Sequence, residues 1–487
     1  MNEIYQRVVN WENWNRNYRR VPRMVRYREN RRYYDGLVFD GEEFVQQPLA
    51  INIVQLVCET HASYLWGQWE PQGTLVSWMN PFGRNVREAE AIVMWAASQF
   101  GGFEDVLQAA GLNQSVYGDA VLMPVWDEAL GRVMPMSISP ESLYAAWSFD
   151  SLAMREAILS YSISPYEAEQ RFGVAVRGAT ATYWEHWTDV ECSRYIGSEL
   201  IDRFEHDSPG ILPIIHIPNT RIAGEFYGQG DAEPIHRLQD ELNRRVADYG
   251  DIVAYASHPI ITVSDYYGKV EDLRVGPDEV WDLGRSGKAS YLGMEGRLPV
   301  DIARYIDYIT SLIQDLSGVP PAALGRHQAS FSSGIALAML MAPLIQRVNW
   351  KRMAFGNALR RYLRIAAMIE DAHGVLPFSL ESILNATPIP QFAPILPKDR
   401  TSTVYENVSL VSNGLRTIAR ALEDLGEHDP ARQAEEIIDE IRRKVELGIM
   451  KPMRPPSSPN MQIGGKNAPG SAGTPDIGPE LRDATRG

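Results

Sequence analysis

Cysteine is almost absent: the 487-residue chain has two, Cys58 and Cys192. Lying far apart, they build neither a disulfide framework nor a zinc-ligand spacing, so a reduced compartment is expected. Long hydrophobic runs are missing as well. The most apolar stretch, 334–345, is interrupted by Pro343 and falls well short of the roughly twenty residues that span a bilayer, so no membrane association is expected. The opening MNEIYQRVVNWENWNRNYRR lacks the apolar centre of a secretory signal. Positive charge is in deficit, with 47 Lys and Arg against 62 Asp and Glu giving −15. That balance excludes uniform wrapping of nucleic acid and leaves local basic patches as contacts.

Catalytic signatures are absent too. No HExxH, CxxC, GxSxG or GxGxxG occurs. The segment from Gly284 to Ser290 approximates a phosphate loop, but it lacks the first glycine and has Ala289 where a magnesium-binding hydroxyl belongs, so a turn is expected there. The nine histidines are dispersed, with no pair at i, i+4 to hold a metal on one helix face. No catalytic residue, metal site or cofactor is expected, and the chain is not expected to be an enzyme.

What is present is ordinary globular material, 45% hydrophobic and 22% charged. Residues 1–34 carry nine arginines against three glutamates, interleaved with Tyr5, Trp11, Trp14, Tyr18, Tyr27, Tyr33 and Tyr34. Nucleic-acid arms and protein interfaces both use this pairing, and an arm packing on an acidic neighbouring subunit is the favoured reading. From 48 to 118 helical patterns enclose a short strand near 74–78. Between 120 and 188, short β-branched and aromatic runs separated by turns predict antiparallel strands, so the fold class is α+β.

A strand at 212–218 leads into the glycine-rich 219–231 and then a helix over 232–257. Its stripe is Ile235, Leu238, Leu242, Val246, Tyr249 and Val253. Short strands follow over 258–297. A second helix begins at Pro299 with Ile302, Ile306, Ile309, Ile313 and Leu316 as its stripe, and Gly318 and Pro320 stop it. A polar segment at 319–334 precedes a long helix over 335–371 with Pro343 as a kink. A proline-bearing connector runs to 398, and helices are expected at 415–425 and from 429 to about 447. The 37 residues from Lys451 hold seven Pro, six Gly and three Ser, a composition expected to stay disordered.

This order resembles the tailed-bacteriophage portal proteins, the head-to-tail connector family. The resemblance rests on RRYYDGLVF, INIVQLVCETHASYLWG, SVYGDAVLMPVWDE, HIPNTRIAGEFYGQGDAEPIHRLQDELNRRVADYGDIVAYASHPII and SGVPPAALGRHQASFSSGIALAMLMAPLIQR, and it spans roughly 27–375. None of these is a catalytic fingerprint; the order carries the likeness. It implies an α/β wing at 35–230, a stem helix at 231–257, a β-rich clip at 258–298, a returning stem helix at 299–318, a tunnel loop at 319–334, a kinked wing helix at 335–373 and a helical crown at 374–450; the basic arm at 1–34 and the disordered tail at 451–487 are read from composition and carry no motif of the family.

The resemblance further implies a ring, usually of about twelve copies, at one capsid vertex of the virion, assembled in the host cytoplasm. Double-stranded DNA enters and leaves through its channel. A terminase motor, major capsid and scaffold proteins, and a head-completion or tail adaptor protein are the implied partners. The narrowest part of such a channel maps onto Arg326, His327, Gln328 and Ser330. Ile235, Leu238, Leu242, Val246, Ile306 and Ile309 are expected between stem helices of neighbouring subunits, and Arg19, Arg20 and Arg23 against capsid or scaffold. The alternatives are another oligomeric connector or minor head protein, or an enzyme of unknown type.

Overall fold

The computed structural model describes residues 3–14, 22–37, 51–67, 75–80, 88–257, 260–265, 269, 281, 283, 285–292, 298–326, 334–385, 387–396, 400–425 and 430–448. The chain forms two compact units, residues 1–397 and 398–487. The fold is α+β, as expected.

In the first unit the helices are α1 (Glu3–Trp14), α2 (Arg23–Tyr34), α3 (Ile53–Trp66), α4 (Ala89–Ser98), α5 (Glu104–Tyr117), α6 (Pro165–Phe172), α7 (His236–Ser257), α8 (Leu298–Ser317), α9 (Gly334–Ala372) and α10 (Leu380–Asn385). The strands are β1 (Val76–Met79), β2 (Asp119–Asp127), β3 (Arg132–Ile138), β4 (Leu143–Trp147), β5 (Met154–Ile163), β6 (Ala181–Trp187), β7 (Glu191–Ile196), β8 (Glu199–Glu205), β9 (Ile215–Pro218), β10 (Ile260–Ser264), β11 (Lys288–Leu292) and β12 (Ile389–Phe392). They make an antiparallel meander β4-β5-β6-β7-β8, a three-stranded sheet β3-β2-β9, and the pairs β1-β12 and β10-β11. Alternation of apolar and polar residues sets which face each strand buries, as in β1 with its buried-exposed repeat.

The 39-residue α9 is the spine of this unit. Its N-terminal half buries Met341, Leu344 and Val348 against Val54, Val57, Leu242, Ile309 and Ile313. Phe355, Tyr362 and Ile365 from its other half enter a second core with Trp66, Ile92, Trp95, Leu107 and Leu122. Pro343 sits inside α9, where it withholds the N–H that Met339 would otherwise receive. Both residues face outward, so water reaches the freed carbonyl.

Several expectations are corrected. The α7 and α8 stripes do not wait for a neighbouring subunit: Ile235, Leu242, Val246 and Ile309 are buried within one chain, and Leu238 and Ile306 pack half-buried on the same core, whereas Val253 and Leu316, expected on the stripes, are exposed. The two helices lie against each other, and full burial of each such side chain stabilises by roughly 1.5–3 kcal/mol. The helix expected from 232 opens as a 3₁₀ turn, Glu233–Ile235, before α7 proper. The connector expected over 374–398 contains α10 and β12, and β12 pairs with β1.

The basic arm is also corrected. α1 docks on its own subunit's meander, with Val8 buried among Ala146, Ile158, Trp184 and Tyr195 and Arg7 donating to Glu156 at 2.6 Å. The second unit holds α11 (Arg400–Ser412), α12 (Ile418–Asp424) and α13 (Pro430–Glu446). Of these, α11 was not expected. The packing there is polar at the centre: buried Asn407 takes a hydrogen bond from Arg416 at 2.7 Å, and Arg416 also pairs with Asp424.

Candidate functional site

Among the described residues no group of metal-ligating side chains offers a starting point, so the joints that fix the α7–α8 hairpin and the segment after it are the places where structure bears on function. α8 ends because Gly318 adopts φ +69, and its N–H closes on the Gln314 carbonyl at 2.8 Å. The left-handed cap frees terminal carbonyls, and two are taken by other helices. Arg347 of α9 donates to Leu316 O at 2.9 Å, a cation placed at a helix C-terminus where the dipole favours it. His61 of α3 donates through Nε2 to Ser317 O at 3.0 Å. Burial pushes the His61 imidazole below its ordinary pKa, so the neutral form holds this joint.

Behind it lies a buried ion pair. Lys351 of α9 bonds Asp231 and donates to Ser115 Oγ at 2.8 Å, and Asn219 donates to the other Asp231 oxygen at 2.9 Å. Burial alone would raise the Asp231 pKa. The Lys351 ammonium and the Asn219 amide outweigh it and hold the carboxyl below its usual range. Four segments meet here: α9, α5, β9's exit and the glycine-rich loop.

A second polar node fixes that loop. Fully buried Asp119 accepts from the Tyr27 hydroxyl, from His216 Nε2 at 2.7 Å and from the Gly228 N–H at 2.8 Å. At Gly228 a Cβ would stand 2.3 Å from Gly118 O, which is why the loop needs glycine where the two backbones cross. The start of α7 is tied to the N-terminal half in the same manner. His236 stacks on Tyr33 at 3.9 Å, and Tyr33 donates to Asp240 at 2.8 Å. Gln239 and Asn243, one turn apart, accept from the N–H groups of Ile53 at 3.0 Å and Ile51 at 2.9 Å. The apolar stripe alone did not single out Gln239 and Asn243; their i, i+4 spacing was the available signal.

The segment after α8 does not protrude from its first residue. Val319 is buried, residues 321–324 form a 3₁₀ turn, and Ala322, Ala323 and Leu324 pack on the α7–α8 core. Arg326 follows, exposed, its N–H bonded to Pro321 O at 3.0 Å. His327, Gln328 and Ser330 lie outside the described residues, as do Arg19 and Arg20 and most of the expected β-rich insert; the paired β10 and β11 are its described part. Arg23 is a correction. Its buried guanidinium donates to Pro140 O at 2.9 Å and Leu143 O at 2.7 Å and lies over the Tyr27, Tyr144 and Tyr227 rings, so it is not free to meet another protein.

An apolar cleft of about 290 Å³ opens beside this joint, lined by Tyr64, Gly67, Ala322, Leu337, Met341 and Ile395 among others. Its polar side chains are Ser63 and Tyr64, and the Ser63 hydroxyl donates to its own helix at Thr60 O, 3.0 Å away. Among the described residues no group of three His, Cys, Asp or Glu is placed to hold a metal ion, and no helix is long and apolar enough to cross a membrane. Burial pushes both thiols, Cys58 and Cys192, well above the ordinary value.

Comparison with known proteins points the same way as the element order. The family model described as "Phage portal protein, SPP1 Gp6-like" matches residues 14–447. The "Portal protein" of Mycobacterium phage L5 is 22% identical over 259 residues, 50% of this chain and 51% of that protein. The chain thus matches about half the length of this curated relative.

Proposed function

Because the chain belongs to the SPP1 Gp6-like family of phage portal proteins, we propose that it forms a ring at one capsid vertex and that double-stranded DNA passes through the ring's channel during packaging and ejection. The observation that carries this reading is the family match over 14–447, taken with a helical hairpin, α7 and α8, whose two arms are joined through the paired strands β10 and β11. The role is structural, not enzymatic, and its place is the virion.

In this reading residues 35–230 are the wing, 231–257 and 299–318 the stem, 258–298 the clip, 319–334 the tunnel loop, 335–373 the wing helix and 374–450 the crown. The clip docks the terminase and later a head-completion or tail adaptor protein, because an insert at the tip of a hairpin is the end most open to partners. Arg326 and His327 face the channel, while Arg19 and Arg20 meet capsid or scaffold protein. A ring of about twelve copies, each at −15, carries about −180, and an acidic wall repels phosphate, which suits DNA that slides. Electron microscopy of the purified chain tests the reading: rings of about twelve with an open channel are expected. A monodisperse monomer at micromolar concentration by native mass spectrometry overturns it.

A further inference from the structure

Two helix faces, each with an apolar centre and charged flanks, point outward and are uncovered among the described residues. On α9 the residues Met339, Pro343, Trp350, Met353, Asn357, Arg360 and Arg364 recur on the side opposite the buried Leu344 and Val348. Trp350 is 73% exposed and Met353 65%. Arg360 and Arg364 are exposed and make no ion pair or hydrogen bond among the described residues. On α8 the outward side carries Asp301, Tyr305, Tyr308, Asp315 and Leu316, flanking the buried Ile309 and Ile313. Tyr308 is 58% exposed, and Asp301 and Asp315 lack partners there.

The faces match in spacing and charge. Trp350, Met353 and Arg360 follow one another by three and seven residues, and so do Tyr305, Tyr308 and Asp315. Seven residues rise about 10.5 Å, so a parallel pairing sets Trp350 on Tyr305, Met353 on Tyr308 and Arg360 beside Asp315 without breaking register. The same offset brings Asn357 to Leu312 and Gln346 to Asp301. Two different faces on one chain are what a head-to-tail contact requires, because each copy offers one face to the copy before it and the other to the copy after.

We propose that the occupant of the α9 face is the α8 outer face of the next copy of this chain, in that register. The pairing rests on the ring reading above and adds to it which helices meet and which charges select the register. It also replaces the buried α7 and α8 stripes as the contact between subunits. Burying Trp350 and Tyr308 supplies the aromatic anchors that interfaces favour. The Arg360 to Asp315 pair lies at the rim, where charge steers register more than it adds affinity.

The test is a charge swap on the full chain. Arg360→Asp and Asp315→Arg, made singly, are expected to raise the concentration at which rings form by at least about tenfold, and the double variant to return it close to the wild-type value. Both side chains are exposed and unpaired, so each variant should keep the wild-type melting temperature. Rings forming from both single variants as readily as from wild type overturn the pairing, and so does a double variant no better than the singles.

A second measurement does not depend on charge. Met353→Cys combined with Tyr308→Cys, oxidised after assembly, is expected to give a ladder of covalently linked chains, since Cys58 and Cys192 are buried. Intact rings that yield only single chains reject this register while leaving the ring itself standing. A wild-type chain that never assembles rejects the ring reading, and this pairing with it.

Discussion

Arg23 shows how position in the fold redirects a charge. In the sequence it sits in a run of arginines and aromatic residues that reads as an arm meeting another protein, since charge is rarely buried within a fold unless paired. In the fold it satisfies two carbonyls and covers three rings. Replacing it with alanine is expected to lower stability by about 2–4 kcal/mol, since buried acceptors lose their donor. Lysine should recover only part of that, lacking the planar fork; a lysine variant that melts with wild type would show the fork to be unimportant. His236 gives a pH prediction of known sign. In the unfolded chain it takes a proton near 6.5, whereas burial pushes it down to about 4 in the fold. The folded state therefore has its full advantage above pH 6.5 and loses it as pH falls towards 4, by on the order of 3 kcal/mol. His236→Phe keeps a ring on Tyr33 and cannot titrate, so its stability should fall less steeply across that window in urea melts. Parallel pH curves for the two proteins would count against the assignment.

Among elements, what was legible was what is local. α7, α8 and α9 carry apolar periods over about 20 to 39 residues, and their positions were readable to within a residue or a turn. The pairing of β1 with β12 was not readable, because it joins short strands more than three hundred residues apart in sequence, and no local pattern encodes such a partner. α11 was missed for another reason: RTSTVYENVSLVS is rich in the β-branched residues that strands favour, and its helical state comes from packing. Glycine content marked the 219–231 loop as unusual, yet only the fold explains which glycine matters. Gly228→Ala is expected to cost several kcal/mol or abolish soluble expression, since its Cβ would meet Gly118 O, a backbone atom that cannot rotate away. Gly131→Ala in the β2–β3 turn meets nothing within 4 Å and should cost only the strain of its positive φ. Equal melting temperatures for the two variants would contradict the crossing. Lys351→Met should cost about 3–5 kcal/mol by stranding the Asp231 carboxylate, and adding Asp231→Asn should return much of it.

At the scale of the whole molecule, the site was legible as an order of elements and not as a set of side chains. Six stem residues were correctly placed on apolar stripes, but a stripe does not say whether it meets its own chain or another, and here the hairpin uses most of it internally. That self-sufficiency yields the last prediction. Because α7 and α8 bury their stripes against each other and α9, the hairpin does not need its tip to fold. Ile260 pairs with Leu292, so the two ends of the intervening chain lie one strand spacing apart, about 5 Å. Deleting 261–291 and closing the gap with a short Gly-Ser linker therefore asks for no movement of either helix. The shortened chain is expected to assemble as the full one does, and to lose terminase binding and DNA packaging together. Rings that still bind terminase and package DNA would place docking elsewhere, and a chain that no longer folds would show that the tip belongs to the core.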